Sequence, residues 1–144
     1  SGTKLVLPSP NGSTLTTLTG NIPTLTGCLR NAETVANRAQ DINSQVTVIA
    51  AGERWKDTRT LRPAIEDYVG AGAIIHHLGG TKSPEAKLAE GAFLQARDRL
   101  HDTLLSGASG RELHERGHDE DLALILTQNV DAVAPLLVDG AYTA

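Results

Sequence analysis

The stretch from Gly52 to Asp67 reads Gly-Glu-Arg-Trp-Lys-Asp-Thr-Arg-Thr-Leu-Arg-Pro-Ala-Ile-Glu-Asp, and it concentrates four carboxylates and four basic side chains. Carboxylate oxygens suit a hard cation such as Mg²⁺, which takes one or two of them together with phosphate and water. Guanidinium groups match the geometry of an anionic substrate. The competing reading is a charged surface loop, with Glu66 and Asp67 simply favoured in a first helical turn.

A second stretch, Ser9-Pro10-Asn11-Gly12-Ser13-Thr14, offers successive backbone N–H groups and hydroxyls that could cradle an anion, with Gly12 permitting close approach. Asn-Gly is equally a common turn pair. In a third, Gly27-Cys28-Leu29-Arg30-Asn31, Arg30 could pair with a phosphate or sulfonate near a helix N-terminus. Cysteine phosphatases place an Arg six positions after the nucleophile, and that position here is Thr34. Cys28 therefore reads as a small buried hydrophobe. His114-Glu115-Arg116-Gly117-His118 spells H-E-x-x-H, but a metalloprotease needs an unbroken helix there, and Gly117 reads as a helix end. Adjacent His76 and His77 point to different helix faces and make a poor metal pair. Walker A, G-x-G-x-x-G and G-x-S-x-G patterns are all absent.

These groups need elements to hold them. Lys4–Leu7, Ile22–Thr26 and Gln45–Ala51 read as strands, the last covered on both faces. Ser13–Thr19 is ambiguous between strand and helix. Helices are expected from Arg30 or Asn31, with Asn31 as N-cap, and from Pro63 to Gly79, with Pro63 at the first helical position. Ile65, Tyr68, Val69, Ile75 and Leu78 lie along the latter, and its small residues Gly70 to Ala73 should let it lie close to a sheet. Ser83 caps a long helix to about Leu105, with Ala89, Phe93, Ala96, Leu100 and Leu104 on one stripe. Ser109 and Asp119 would cap two short helices, and the residues from Ala134 onward form an edge segment or loop.

Strand, loop and helix alternating three times predict an α/β fold: a three-layer α/β/α domain over residues 1–144, with a mostly parallel or mixed sheet and a helical second half. Ligands of such sheets bind outside the carboxyl ends of the strands, so the three loops should share one edge. An unpaired sheet edge would favour a homo-oligomer.

The chain has 144 residues, and 13 basic against 17 acidic side chains leave a net charge of −4. That balance, with aromatics at only 3 %, argues against nucleic acid as a partner. No apolar run approaches the ~20 residues of a membrane span. One Cys excludes an intrachain disulfide framework. The absence of Met suggests a processed end or a start inside a longer protein.

Taken in order, Leu5-Val6-Leu7-Pro8-Ser9-Pro10-Asn11-Gly12-Ser13, Gly27-Cys28-Leu29-Arg30-Asn31-Ala32, Ile49-Ala50-Ala51-Gly52-Glu53-Arg54-Trp55 and Leu61-Arg62-Pro63-Ala64-Ile65-Glu66-Asp67 resemble the 2-phosphosulfolactate phosphatase family. Gly70-Ala71-Gly72-Ala73-Ile74, Ser83-Pro84-Glu85-Ala86, Ser109-Gly110-Arg111-Glu112-Leu113 and Asp139-Gly140-Ala141 extend the resemblance over nearly the whole chain. It implies a cytoplasmic, Mg²⁺-dependent phosphatase of coenzyme M biosynthesis. Its substrate would be the phosphate monoester of a small sulfonated or carboxylated 2-hydroxy acid. Glu53, Arg54 and Glu66 would be catalytic. Asn11, Gly12, Ser13, Thr14, Arg30, Asn31 and Arg62 would bind substrate, and Glu53 and Asp67 would hold the metal. The family's upstream Asp-Val-Leu-Arg-Ala motif does not occur here. The chain is therefore expected to be the C-terminal portion, roughly three-fifths, of such an enzyme. The alternative is a non-catalytic anion-binding or oligomerising module.

Overall fold

A computed structural model describes residues 3–6 and 10–144. Two helices form its centre: α3 (Ile65–His77) and α4 (Pro84–Ala96). They cross so closely that a Cβ on Gly72 would meet the Ala89 carbonyl oxygen at 2.1 Å. The small-residue run of α3 thus serves helix-on-helix contact and not the sheet contact expected of it. Val69, Ala73 and Ile74 of α3 bury against Phe93 and Ala96 of α4. Tyr68, placed on the apolar side by spacing, is exposed.

Ser83 caps α4 as expected, its Oγ accepting from the Ala86 N–H at 3.2 Å. The expected long helix is interrupted by a 3₁₀ turn (Arg97–Arg99) before α5 (Leu100–Ser106). The predicted stripe holds across that break: Ala89, Phe93, Ala96, Leu100 and Leu104 are all buried. Two short helices follow, α6 (Ala108–Glu115) and α7 (Asp119–Ile125). Their preceding residues are Gly107 and His118 and not the expected Ser109 and Asp119. Gly117, at φ +76°, breaks the chain between them. His114 faces Asp119 and His118 faces Asp121, so the two H-E-x-x-H imidazoles have separate partners.

The N-terminal helix α1 (Pro10–Leu18) takes in Asn11 to Thr14, which the sequence suggested as a loop. Hydroxyl back-bonds from Thr16 to the Gly12 carbonyl and from Thr17 to Thr14 support it. Helix α2 (Ala32–Ile42) packs on α3 after a 3₁₀ turn at Leu29–Asn31. Asn31 stands at the N-cap position as expected, but its side chain makes no capping bond. Its buried amide instead accepts from the Cys28 N–H at 2.8 Å and donates to the Val133 carbonyl at 2.9 Å. The free Glu33 N–H is capped by Asn129 Oδ1, 96 residues away. Cys28, expected to be buried, is exposed at the entry to the 3₁₀ turn.

Strands are where expectation and structure part most. Thr3–Val6 and the run 45–51 form no ladder, and Leu7 lies outside the described residues. The expected strand at Ile22–Thr26 reduces to one antiparallel bridge, Leu25 with Leu136. The described residues form two antiparallel hairpins: β1 (Glu53–Arg54) with β2 (Leu61–Arg62), and β3 (Leu136–Val138) with β4 (Ala141–Thr143). Asp139 and Gly140, at φ 49° and 78°, make the tight turn of the second. The mixture of helix and strand is compatible with an α/β class. A mostly parallel sheet is not formed among these residues, because the apolar run of Val46, Val48 and Ile49 finds no strand to pair with. Among the described residues no helix is long and apolar enough to cross a membrane.

Candidate active site

The charged stretch singled out by composition folds into the β1–β2 hairpin, with Glu53 opposite Arg62 and Arg54 opposite Leu61. Its turn closes through Trp55 N–H to the Thr60 carbonyl at 3.0 Å and Arg59 N–H to the Trp55 carbonyl at 2.9 Å. Arg59 adopts the left-handed region at φ 59°, a conformation that costs a non-glycine residue about 1 kcal/mol or more. The Arg54 guanidinium spans the turn to the Arg59 carbonyl at 2.9 Å.

Three separate elements meet here. From the first turn of α1, the Asn11 side-chain amide donates both to the Gly52 carbonyl and to Glu53 Oε1, each at 3.0 Å. From α3, Asp67 accepts from the Gly52 N–H. From the first turn of α6, Ser109 Oγ accepts from Arg62 Nη2 at 3.2 Å. The hairpin, α1 and the α6 region border a cleft of about 260 Å³ lined by Asn11, Glu53, Arg54, Arg62 and neighbouring charged side chains.

Arg62 is only 5 % exposed and makes no ion pair among the described residues; its guanidinium sits over the Trp55 ring at 5.5 Å. A buried guanidinium with no carboxylate at ion-pair distance is only partly compensated, here by the charge of Glu53 opposite it, and a bound anion would complete the compensation. The carboxylates are driven apart. The Arg54 N–H, the Asn11 amide and the charge of Arg62 hold Glu53 below the usual carboxylate range. Burial, and then the charges of Glu66 and Glu53, push Asp67 up against the opposing Gly52 N–H. Environments that separate two neighbouring carboxylates in this way are typical of functional sites.

No group of three or more His, Cys, Asp or Glu side chains among the described residues forms a metal cage. Glu53 and Asp67, the pair expected to hold Mg²⁺, are near enough for the charge of Glu53 to act on Asp67, and one or two carboxylates are what that cation takes from a protein. Neither Glu66 nor Asp67 lines the cleft; Asp67 is joined to it through Gly52. Gly12, Ser13 and Thr14 share α1 with Asn11 without lining the cleft.

Arg30 and Asn31 stand apart from this cleft. Arg30 forks onto Asp131, with Nε to Oδ2 at 2.7 Å and Nη2 to Oδ1 at 3.1 Å, and also donates to the Leu124 carbonyl and Thr127 Oγ1. That pairing holds Arg30 above and Asp131 below their ordinary values. The second expected loop therefore straps the 129–133 segment to α2, because an acceptor set from the C-terminal region satisfies Arg30. Sequence reasoning missed Glu112 of α6 and Arg116 just past its end, which both reach the cleft. The four-residue spacing of this acid–base pair was the available signal.

A family model described as 2-phosphosulpholactate phosphatase matches residues 1–140. The 2-phosphosulfolactate phosphatase of Methanothermobacter thermautotrophicus is 30 % identical over 141 residues, covering 96 % of this chain and 58 % of the relative. A probable 2-phosphosulfolactate phosphatase of Pseudothermotoga lettingae is 21 % identical, covering 96 % of this chain and 59 % of its own length. One of Caldanaerobacter subterraneus is 27 % identical, covering 79 % and 46 %. The chain thus spans less than three-fifths of the length of these curated relatives. The cradle of Asn11, Glu53 and Arg62 sits within the matched residues, and the chain belongs to the 2-phosphosulfolactate phosphatase family.

Proposed function

We propose that the cleft hydrolyses the phosphate monoester of a small sulfonated or carboxylated 2-hydroxy acid, as in 2-phosphosulfolactate to sulfolactate plus phosphate. The observation that carries this reading is Arg62, a buried guanidinium with no carboxylate in ion-pair range among the described residues, beside Arg54 and Arg59. Hydrolysis of such an ester is chiefly a matter of positioning and of stabilising charge on the phosphoryl oxygens. Arg62 and Arg54 supply that charge, and the Asn11 amide orients Glu53.

A carboxylate held as low as Glu53 is a weak base and a good cation ligand. Glu53 and Asp67 would hold Mg²⁺, which when bound neutralises charge on the phosphoryl group. Glu66, next to Asp67 on the first turn of α3 and outside the cleft lining, would take the proton of the attacking water by way of a second water. The water oxygen bonds to phosphorus, the ester P–O bond breaks, and the leaving alkoxide takes up the proton that Glu66 would have received. A substrate of this kind would place the chain in coenzyme M biosynthesis. In a polypeptide of the relatives' length, the apolar run of Val46, Val48 and Ile49 would become a strand of a three-layer domain.

The test is release of inorganic phosphate from 2-phosphosulfolactate with Mg²⁺ and with EDTA. Release that EDTA abolishes is expected. Phosphate binding without release under either condition would reduce the cleft to an anion-binding module.

A further inference from the structure

We propose that Lys56 and Arg116 form a second anion subsite, which reads the acidic group at the end of the substrate remote from its phosphate. The proposal rests on phosphate being held at Arg62. Five basic side chains line the cleft (Arg54, Lys56, Arg59, Arg62 and Arg116) against two carboxylates, Glu53 and Glu112. Five minus two leaves a surplus of three positive charges, in a chain whose net charge is −4. One phosphate dianion does not match that surplus. A phosphate joined to a carboxylate or sulfonate does.

The surplus is distributed along α6. Ser109 and Glu112 stand three residues apart on one face of α6, and Arg116, the residue just past the helix end, returns to Glu112 at 3.9 Å. Ser109 contacts the buried Arg62 at 3.2 Å. Past the other end of α6 stands Arg116, whose side chain is 58 % exposed. The cleft therefore has an inner guanidinium at one end of α6 and an outer one at the other. At the outer end, Glu112 lies 3.6 Å from Lys56 and 3.9 Å from Arg116. Both distances exceed those of a charge-assisted hydrogen bond. One carboxylate shared loosely by two cations positions them and leaves one positive charge uncompensated.

The experiment titrates two probes, methyl phosphate and phosphoglycolate, into the chain and into its Lys56→Gln/Arg116→Gln variant by calorimetry. Both side chains are largely exposed, so a thermal melt is expected to show the variant folded. The ratio of phosphoglycolate to methyl phosphate affinity should fall about tenfold in the variant. An unchanged ratio, whether neither affinity moves or both fall together, overturns the subsite. An unmutated chain that binds neither probe would overturn the phosphate site on which it rests. Arg62→Gln separates the two sites: it should weaken both probes and leave their ratio nearly intact.

Discussion

The Asn11 side-chain nitrogen donates to Glu53 Oε1 at 3.0 Å across 42 residues of sequence, and to the Gly52 carbonyl at the same distance. The first turn of α1 is thereby fastened to the hairpin that carries the charged side chains. Removing the amide leaves Glu53 with the Arg54 N–H as its remaining hydrogen-bond donor among the described residues. Asn11→Ala is expected to lower phosphate release about tenfold, the scale of one lost charge-assisted contact. Asn11→Asp should do worse, because it sets a second negative charge beside Glu53, and raising Mg²⁺ should recover part of the loss. Unchanged steady-state kinetics in both variants would show that this bond positions nothing.

Trp55 is the chain's single Trp, half exposed, with the Arg62 guanidinium over its ring. Phosphate entering the cleft must redistribute charge next to that indole. A phosphate titration should therefore change Trp fluorescence, and Arg62→Gln should abolish the saturable change. Arg62→Lys should keep a weaker one, since an ammonium lacks the fork that grips two oxygens. An identical titration in Arg62→Gln would place the anion elsewhere.

Two glycines of α3 make a matched pair. A Cβ on Gly72 would meet the Ala89 carbonyl at 2.1 Å and Phe93 Cβ at 2.9 Å, whereas one on Gly70 would meet nothing within 4 Å. Backbone cannot yield as a side-chain tip can, so Gly72→Ala should cost about 3 kcal/mol or prevent folding. Gly70→Ala should be neutral or stabilise by about 0.5–1 kcal/mol. Thermal melts that rank the two variants the other way would disprove the close α3–α4 crossing.

Glu90 joins the same two helices, accepting from Lys82 Nζ at 2.8 Å and contacting His76 Nδ1 at 3.1 Å. Lys82 first, and His76 after it, hold the Glu90 carboxyl below its ordinary value of 4.5. A depressed folded value means that the stabilisation is complete above the unfolded value and is lost as pH falls through the folded one. Glu90→Gln should lower Tm by about 4 °C at pH 7, from a loss of about 1 kcal/mol. The gap between the two proteins should close at pH values below that folded value. A gap that persists there would mean the carboxylate charge is not its source.

Local chemistry decided what the sequence showed correctly. A Ser-Pro cap, a 3.6-residue apolar stripe and a glycine that breaks a helix act within a few residues, so α2, α3, α4 and the split at Gly117 were legible. So was the crowding of Glu53, Arg54, Arg62 and Asp67 on one stretch. Choices of partner across the chain were not. Arg30 looked as free for an anion as Arg62, and only the folded 129–133 segment supplies Asp131 to neutralise it. Val46, Val48 and Ile49 have strand composition, but a strand exists only when another strand accepts its hydrogen bonds, and none does among the described residues. The outer end of the cleft, where Glu112 of α6 and Arg116 just past it approach Lys56 of the hairpin, likewise depends on how the helices pack. Coulombic and hydrogen-bond partners more than 40 residues apart are set by that packing, which residue type and spacing do not encode.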